Sequence, residues 1–477
     1  MKIIVFGTGR FYQNRKNAFS SLAVEISAFL DNDPNKQGQV LDGAPILSPS
    51  EVKDHPFDCV CIMAGNAIFP EMKQQLLDLN VPEGKIVSYD EFRALFAVNT
   101  SHLLYNNFCA DALFPTTGKR VLLFSHELSL TGAPVVLFYM AQMLKKNGYC
   151  PIVVSPLDGP LSARFIEEGI PVFVTPFISG KNETLLRWMR TFDLIVICTL
   201  TFGQFVGELG EDFPVPVLWW LHEGTEVYSG WWPRAKPRVL SKNVHIYAVG
   251  SRALRVYEEH FQNQDAKPLL YGLPDTNPHP EEGFRPRPAD KKLTFALIGT
   301  VQARKGQDLF LEAIQLLSEQ ERAQAEFLLI GPWTDSVYPE FNQKIREMAA
   351  AIPEVQLMGP LSMDQMDAIY PQIDVVISPS RDDPMPVVLP EAMRFYKTCI
   401  TSVETGTASV IQDGVNGLIC QVDAQDIAEK MRWILQHQDR LKDLGCNGRK
   451  LYEDTFSLNA FEKKALQAVE ECLHSQD

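Results

Sequence analysis

The sequence predicts an α/β protein built from three Rossmann-like domains. Apolar strand-like runs alternate with helical patterns almost throughout the chain, the signature of layers built on parallel sheets. Three segments, KIIVFGTGR, RVLLFSHELSLTGAP and LTFALIGTVQARKG, each run an apolar strand into a glycine-containing loop and then a helix. The length of 477 residues amounts to about three domains at roughly 150 residues each. The three openings differ too much from one another to be sequence repeats.

The first domain covers residues 1–98, with strands expected at 2–6, 26–31 and 58–64 and with DNDPNKQG and LDGAP as turns. Residues 97–118 read as an irregular connector. The second domain covers 119–273. A proline-rich, mixed-charge stretch, PDTNPHPEEGFRPRPADKK from Pro274 to Lys292, cannot form helix or interior strand and marks the clearest boundary. The third domain covers 293–455. Residues 456–477 form a last helix, with Leu458, Phe461, Leu466, Val469 and Leu473 on or near one side.

Composition narrows the function. Hydrophobic residues at 45% and charged residues at 22% are close to globular averages. The formal charge of −15 argues against general nucleic-acid binding, which needs a basic surface, but leaves room for a local phosphate pocket. Cys59, Cys61, Cys198, Cys399 and Cys420 lie in apolar runs without zinc or disulfide spacing, so free core thiols in a reducing cytosol are expected. MKIIVFGTGR enters a strand at once and lacks the apolar stretch of a signal peptide. No apolar run approaches the ~18 residues of a membrane span. A cytoplasmic location is expected, with peripheral docking on a membrane left open. The helix around 183–192, with Arg187 and Arg190, is short of cations for a membrane assignment.

Two regions carry candidate chemistry. In the first domain GTGRFYQN follows a strand, and Asp31 ends the next one, where dinucleotide sites place a ribose-binding acid. The third glycine of that fingerprint is missing, so the glycines are read as a tight turn in a nucleotide-binding-like fold. The third domain says more. In ISPSRDDPMPVVLPEAM, Asp383 and Glu391 stand eight positions apart, and prolines 384, 386 and 390 forbid one helix through both. Asp383 is then in the loop and Glu391 in the first turn of the helix that follows. The backbone N–H groups of Val387 and Val388 lie near that helix start, a position favouring an anion such as a diphosphate. A purely structural reading, with Asp383 capping the turn and Glu391 the helix, stands beside it. GTVQARKG places Arg304 and Lys305 at the carboxyl end of the domain's first strand, where open parallel sheets bind ligands. Lysine there is a point charge for phosphate and arginine a fork.

Residues 119–475 resemble the retaining glycosyltransferases of family 4, of GT-B architecture. The resemblance rests on five parts in order: SHELSLTGAPVVLFYMAQML, WWLHEG, GTVQARKGQDLFLEAI, SRDDPMPVVLPEAM and TGTASVIQDGVNGLI. It implies two Rossmann-like domains facing each other across a cleft, acceptor domain first and donor-nucleotide domain second, with the C-terminal helix returning to the acceptor domain. The family's Glu-x7-Glu is here Asp383 and Glu391, which implies that Glu391 binds the donor ribose and Asp383 the donor sugar. Lys305 matches the family lysine. Thr300 stands where the family commonly has arginine, and Arg304 is the nearest replacement. Gly132 matches the glycine facing donor phosphate and acceptor, with Thr131 in place of a frequent second one. His222 matches a histidine near the reacting sugar. Trp219 and Trp220 are assigned to the core, while Trp231 and Trp232 are candidates for the acceptor cleft. The first domain resembles small nucleotide-binding-like domains of bacterial surface-sugar enzymes, some sugar acyltransferases among them, through FLDNDPNKQG and GAPILSPSEV.

The function so implied is retaining hexosyl transfer from a nucleoside-diphosphate sugar, UDP-linked by preference, to a glycan or lipid-linked acceptor in bacterial surface polysaccharide biosynthesis. The resemblance implies no metal and no further cofactor, because the helix dipole and cations take the metal's place. Thr300 and Asp383 also support a rival, a GT-B-like scaffold or sugar-nucleotide sensor that has lost transfer. An oxidoreductase or epimerase in residues 1–98 would need tight dinucleotide binding.

Overall fold

The computed structural model describes residues 1–474 apart from 14, 17–18, 20–23, 66–67, 90, 93–100, 131, 226–227, 229–236, 238–239, 262–265, 289 and 334–337, and apart from the side chains of 363–364. Thr131, Trp231 and Trp232 therefore lie outside the described residues. The chain divides into two compact units, 1–195 and 196–477.

The first unit opens with a six-stranded sheet. Its strands are β1 (Lys2–Phe6), β2 (Glu25–Leu30), β3 (Val40–Leu41), β4 (Ala44–Leu47), β5 (Cys59–Ile62) and β6 (Ile86–Ser88), in the order β3-β4-β2-β1-β5-β6. Neighbours are parallel except β3 and β4. That hairpin turns through Asp42 and Gly43, both at positive φ, 46° and 86°, the geometry that an Asp-Gly turn favours. The β1 loop behaves as a tight turn: Gly7 has φ 102°, and a Cβ there would stand 3.0 Å from the Met63 carbonyl. Asp31 is engaged within the domain. It accepts from the Thr8 N–H at 3.1 Å and the Asp33 N–H at 2.9 Å, and pairs with Lys36 at 3.1 Å. Burial pushes its pKa up, but the hydrogen bonds from Thr8, Asp33 and Lys36 outweigh burial and hold it below the ordinary value.

The rest of the first unit holds β7 (His102–Leu104), β8 (Arg120–Phe124), β9 (Cys150–Ser155) and β10 (Val172–Val174). The strands β8, β9 and β10 are parallel, and β7 lies antiparallel along β10. Residues 97–118 are thus more than an irregular connector: they supply β7 and the short helix Ala110–Leu113. The pairing of Val172, Phe173 and Val174 with β7 is a tertiary event that three residues of local sequence do not announce. The boundary between the two units falls inside β11 (Leu194–Cys198).

The second unit contains β12 (Val217–Leu221), β13 (Val244–Ala248) and β14 (Ala266–Pro268), all parallel. It also contains β15 (Leu293–Ile298), β16 (Ala325–Ile330), β17 (Val355–Met358), β18 (Val375–Ser378), β19 (Thr398–Ser402) and β20 (Leu418–Cys420). These form a parallel sheet of order β17-β16-β15-β18-β19-β20. Its strands read as continuous apolar runs because both faces are covered: Phe295, Phe327, Val375 and Ile400 share one core with Ile314 and Met431 from the helices.

The proline-rich segment 274–292 lies inside this unit and is tied to it. Asp275 pairs with Arg449 at 2.5 Å, the Asn277 amide donates to the Arg394 carbonyl at 3.2 Å, and the Tyr396 hydroxyl donates to the Pro280 carbonyl at 2.8 Å. Proline excludes helix there, yet hydrogen bonds pin the segment down. The last helix, Leu458–His474, buries Phe461, Ala465, Ala468, Val469 and Cys472. Leu458, Leu466 and Leu473 are only half-buried, so small side chains replace the expected leucines on the packed face. Phe461 stacks on Trp220 at 5.8 Å and 15°, and Glu471 accepts from Tyr247 at 3.0 Å and Lys267 at 2.8 Å. No helix among the described residues is long and apolar enough to cross a membrane.

Candidate functional site

The site is built at the carboxyl ends of β15, β18 and β19. After β15 the chain passes Gly299 and Thr300 into a 3-10 turn, Ala303–Lys305. Gly306, at φ 75°, then opens the helix Gln307–Gln315. Only glycine fits there, because a Cβ would stand 2.3 Å from the Pro379 carbonyl. That close approach brings the β15 and β18 loops together. The Arg381 N–H donates to the Arg304 carbonyl at 2.8 Å, and the Arg381 guanidinium forks onto Asp308 at 2.8 and 2.9 Å.

Lys305 and Asp383 meet across this junction, Nζ to Oδ2, at 2.5 Å. Both are largely withdrawn from solvent, with side-chain exposures of 19% and 6%. Arg304 donates to the Asp382 carbonyl at 2.9 Å and lies 3.7 Å from the Asp383 carboxylate. Thr300 contributes its carbonyl, which accepts from Gln307 at 2.9 Å. The main chain of Asp383 is held as well: its N–H donates to the Glu404 carbonyl at 3.1 Å, and its carbonyl accepts from Gly406 at 2.9 Å. Asp383 therefore caps no helix; its carboxylate belongs to the cations of the β15 loop.

The helix Val388–Arg394 begins beyond Pro386, with Val387 at its N-cap and no side chain capping it. Backbone N–H groups of a first helical turn have no partner within the helix. Glu391 sits in that first turn and accepts from the Tyr370 hydroxyl at 2.8 Å. Burial raises its pKa above the ordinary glutamate value, against the pull of Arg394 and the Tyr370 hydrogen bond.

His222 follows β12, half-buried, its ring edge-on to Trp220 at 4.5 Å. Trp219 and Trp220 are both fully buried. Their indole N–H groups donate to the carbonyls of Thr199 and Leu269, each at 2.9 Å. Gly132 belongs to the first unit. It opens the helix Gly132–Lys146, exposed and with open space around its Cα.

Two residues missed by the sequence reading complete the second unit's share. Glu223 is 8% exposed. One of its oxygens accepts from the Leu200 N–H at 2.9 Å, the other from the His222 N–H at 2.8 Å. The Leu200 donor is aimed by Thr199, whose φ of 86° is a strained value for a side chain branched at Cβ. Burial lifts the Glu223 pKa to about 7 despite the two N–H groups. Arg252 is the second. Its guanidinium bridges Asp382 at 2.9 Å, Glu404, and the Thr225 hydroxyl at 3.1 Å. Gly224 lies between, and a Cβ there would stand 2.5 Å from an Asp382 oxygen. The loop after β12 is thus clamped to the loop carrying Asp383. An acid between a buried strand and a glycine, in LHEG, was the one local sign of Glu223; Arg252 left none.

The raised Glu223 pKa has a testable consequence. A carboxyl protonated more readily in the folded than in the unfolded state stabilises the fold at low pH and loses that contribution as pH rises. Stability should fall between the unfolded glutamate value, about 4.3, and about 7. Melting curves of wild type and Glu223→Gln across that range check it. The wild type should lose stability with rising pH more steeply than the variant, and parallel curves would refute the assignment.

Comparison with known proteins gives this geometry a context. Residues 279–451 match the family model of glycosyl transferases group 1, residues 117–262 that of glycosyl-transferase family 4, and residues 1–87 that of C2185-like, N-terminal. An uncharacterized glycosyltransferase of Methanocaldococcus jannaschii is 24% identical over 153 residues. That match spans 32% of this chain and 41% of the relative, less than half its length. HepE of Anabaena, solved in complex with UDP, superposes with a TM-score of 0.62 at 15% identity, over 74% of this chain and 99% of that one. A glycosyltransferase of Rickettsia africae superposes with a TM-score of 0.62 at 16% identity, over 75% and 100%. At such identities the superpositions establish a shared fold. Successive parts of the chain thus match two glycosyltransferase family models, family 4 and then group 1, on an α/β fold shared with the GT-B glycosyltransferases.

Proposed function

We propose that the protein is a cytoplasmic retaining glycosyltransferase that moves a sugar from a nucleoside diphosphate to a glycan or lipid-linked acceptor in surface polysaccharide synthesis. The observation that carries this is the cation pair Arg304 and Lys305, held on Asp383 beside the start of the helix that bears Glu391. The cations and the N–H groups of Val387 and Val388 meet the diphosphate, Glu391 the ribose, and Asp383 the sugar hydroxyls. A UDP-sugar is favoured as donor because HepE, of like fold, was solved with UDP and with UDP-glucose.

The reaction is a front-face substitution. The acceptor oxygen bonds to the anomeric carbon on the face from which the diphosphate leaves. The bond from that carbon to the phosphate oxygen breaks, and the departing oxygen takes the acceptor's proton. Lys305, Arg304 and the helix N–H groups stabilise the charge growing on the diphosphate. His222 positions the sugar.

Nucleoside diphosphate release from UDP-, GDP- and dTDP-sugars tests this, with Glu391→Ala beside the wild type. One donor should be slowly hydrolysed by the wild type. Glu391→Ala should weaken binding of that donor by on the order of tenfold or more, the loss of hydrogen bonds to a charged group. A chelator should leave the wild-type rate unchanged, since cations and helix dipole do the work of a metal. A second reading, a sugar-nucleotide sensor, is favoured by one observation: Lys305 and Asp383 already satisfy each other. Donor binding without turnover, with every acceptor class supplied, would select it.

A further inference from the structure

Away from these loops, the first unit holds an apolar hollow of about 400 Å³. That volume lies within the range typical of small-molecule sites, roughly 300–1,000 Å³. Its floor is the sheet: Ile152 on β9, Phe173 on β10, and Leu103, paired with Phe173, on β7. Trp188 forms a side wall, edge-on to Phe173 at 5.4 Å. Phe114, 79% exposed, stands at the mouth. A hollow walled by hydrocarbon holds water poorly and gains by taking up a chain or ring.

One charged side chain lies on the wall among the described residues, Arg120. It is held in place without being neutralised. Its Nη1 donates to the Thr191 hydroxyl at 3.0 Å, and its guanidinium lies 4.2 Å above the Phe192 ring. The nearby Asp193 carboxylate accepts from the Arg120 main-chain N–H at 2.7 Å. The buried Nε–H has no acceptor among the described residues. A buried donor left unpaired costs on the order of 1–3 kcal/mol, more for a charged group, so the guanidinium keeps hydrogen-bonding capacity that the described residues do not use. Guanidinium edges match carboxylate and phosphate oxygens two to two.

We infer that this hollow is a binding site for an anionic single-chain amphiphile, its alkyl chain on Ile152, Phe173 and Trp188 and its acidic head on Arg120. The site lies wholly within the first unit and does not depend on the transfer reaction proposed above.

The test uses the full chain and dodecanoate below its micelle concentration, followed by calorimetry and by tryptophan emission. Trp188→Phe identifies the optical signal. Dodecanoate should bind saturably, and dodecanol at least tenfold more weakly. Arg120→Met and Phe114→Asp should each raise the dissociation constant by tenfold or more. Phe114 is exposed, so its replacement leaves the fold intact even where loss of the Arg120 contacts to Thr191 does not. Dodecyl phosphate in a parallel titration separates a carboxylate preference from a general anion preference, and tighter binding of either head than of dodecanol supports the site. Absence of saturable binding, equal affinity for dodecanol, or both variants within twofold of wild type would overturn it.

Discussion

Lys305→Ala should lower turnover with a nucleotide-sugar donor by on the order of 100- to 1,000-fold, the usual cost of removing one preorganised group that meets developing charge. Donor affinity should fall less, because the lysine acts most strongly on charge that grows as the diphosphate departs. The variant also unbalances the site at rest. Asp383, with 6% side-chain exposure, would keep Arg304, at 3.7 Å, as its one cation among the described residues. Breaking a buried pair from one side costs about 3–5 kcal/mol, so a melting curve must accompany the kinetics. Adding Asp383→Asn separates the two effects. The double variant should recover stability, since no buried charge is left unpaired, while turnover stays low. Recovery of turnover in the double variant would mean that Lys305 serves only to neutralise Asp383.

The site was legible where its residues sit at strand ends and helix starts. Lys305 and Asp383 follow apolar strands and Glu391 falls in the first turn of a helix, so spacing and prolines alone place all three at the carboxyl end of the sheet. Their pairing was not legible. That Lys305 meets Asp383, and Arg252 meets Asp382, depends on how neighbouring strands align, and the latter two are 130 residues apart. Arg252 stands on an ordinary amphipathic helix, Ser251–His260, where a cation normally means solvent. Glu223 was hidden by its neighbour: His222 drew the reading, while the acid beside it took the burial. The fold followed the same rule. Long apolar strands were found within a residue or two, whereas β7 is too short to carry a period. Proline excluded helix from 274–292 but said nothing of the hydrogen bonds to Arg449 and Tyr396 that hold it. In the last helix, alanine and cysteine face the packed side because Trp220 and Phe461 already fill the space between helix and strand.

Gly406→Ala should be almost as damaging as loss of Lys305, although Gly406 has no side chain to contribute. Its N–H donates to the Asp383 carbonyl, and its Cα lies so close to the neighbouring turn that a Cβ would stand 1.8 Å from the Pro384 carbonyl oxygen and 2.9 Å from its carbon. The obstacle is main chain, so no change of rotamer relieves it. The β19 loop or the 383–385 turn must move. Either shift opens the two-bond bridge between Asp383 and Thr405 and draws Asp383 away from Lys305. Overpacking of this kind costs about 1–3 kcal/mol. A displacement of about 1 Å in a positioning element can cost on the order of 100-fold in rate. The control is Gly359→Ala, an exposed glycine with open space around its Cα, which should leave both melting temperature and rate near wild type. Gly406→Ala should show a lowered melting temperature and a rate near one hundredth of wild type, with donor affinity weakened through the displaced Asp383. Full activity in Gly406→Ala would show that the 383–385 turn tolerates displacement, and that the Lys305–Asp383 contact does not set the geometry of the reaction.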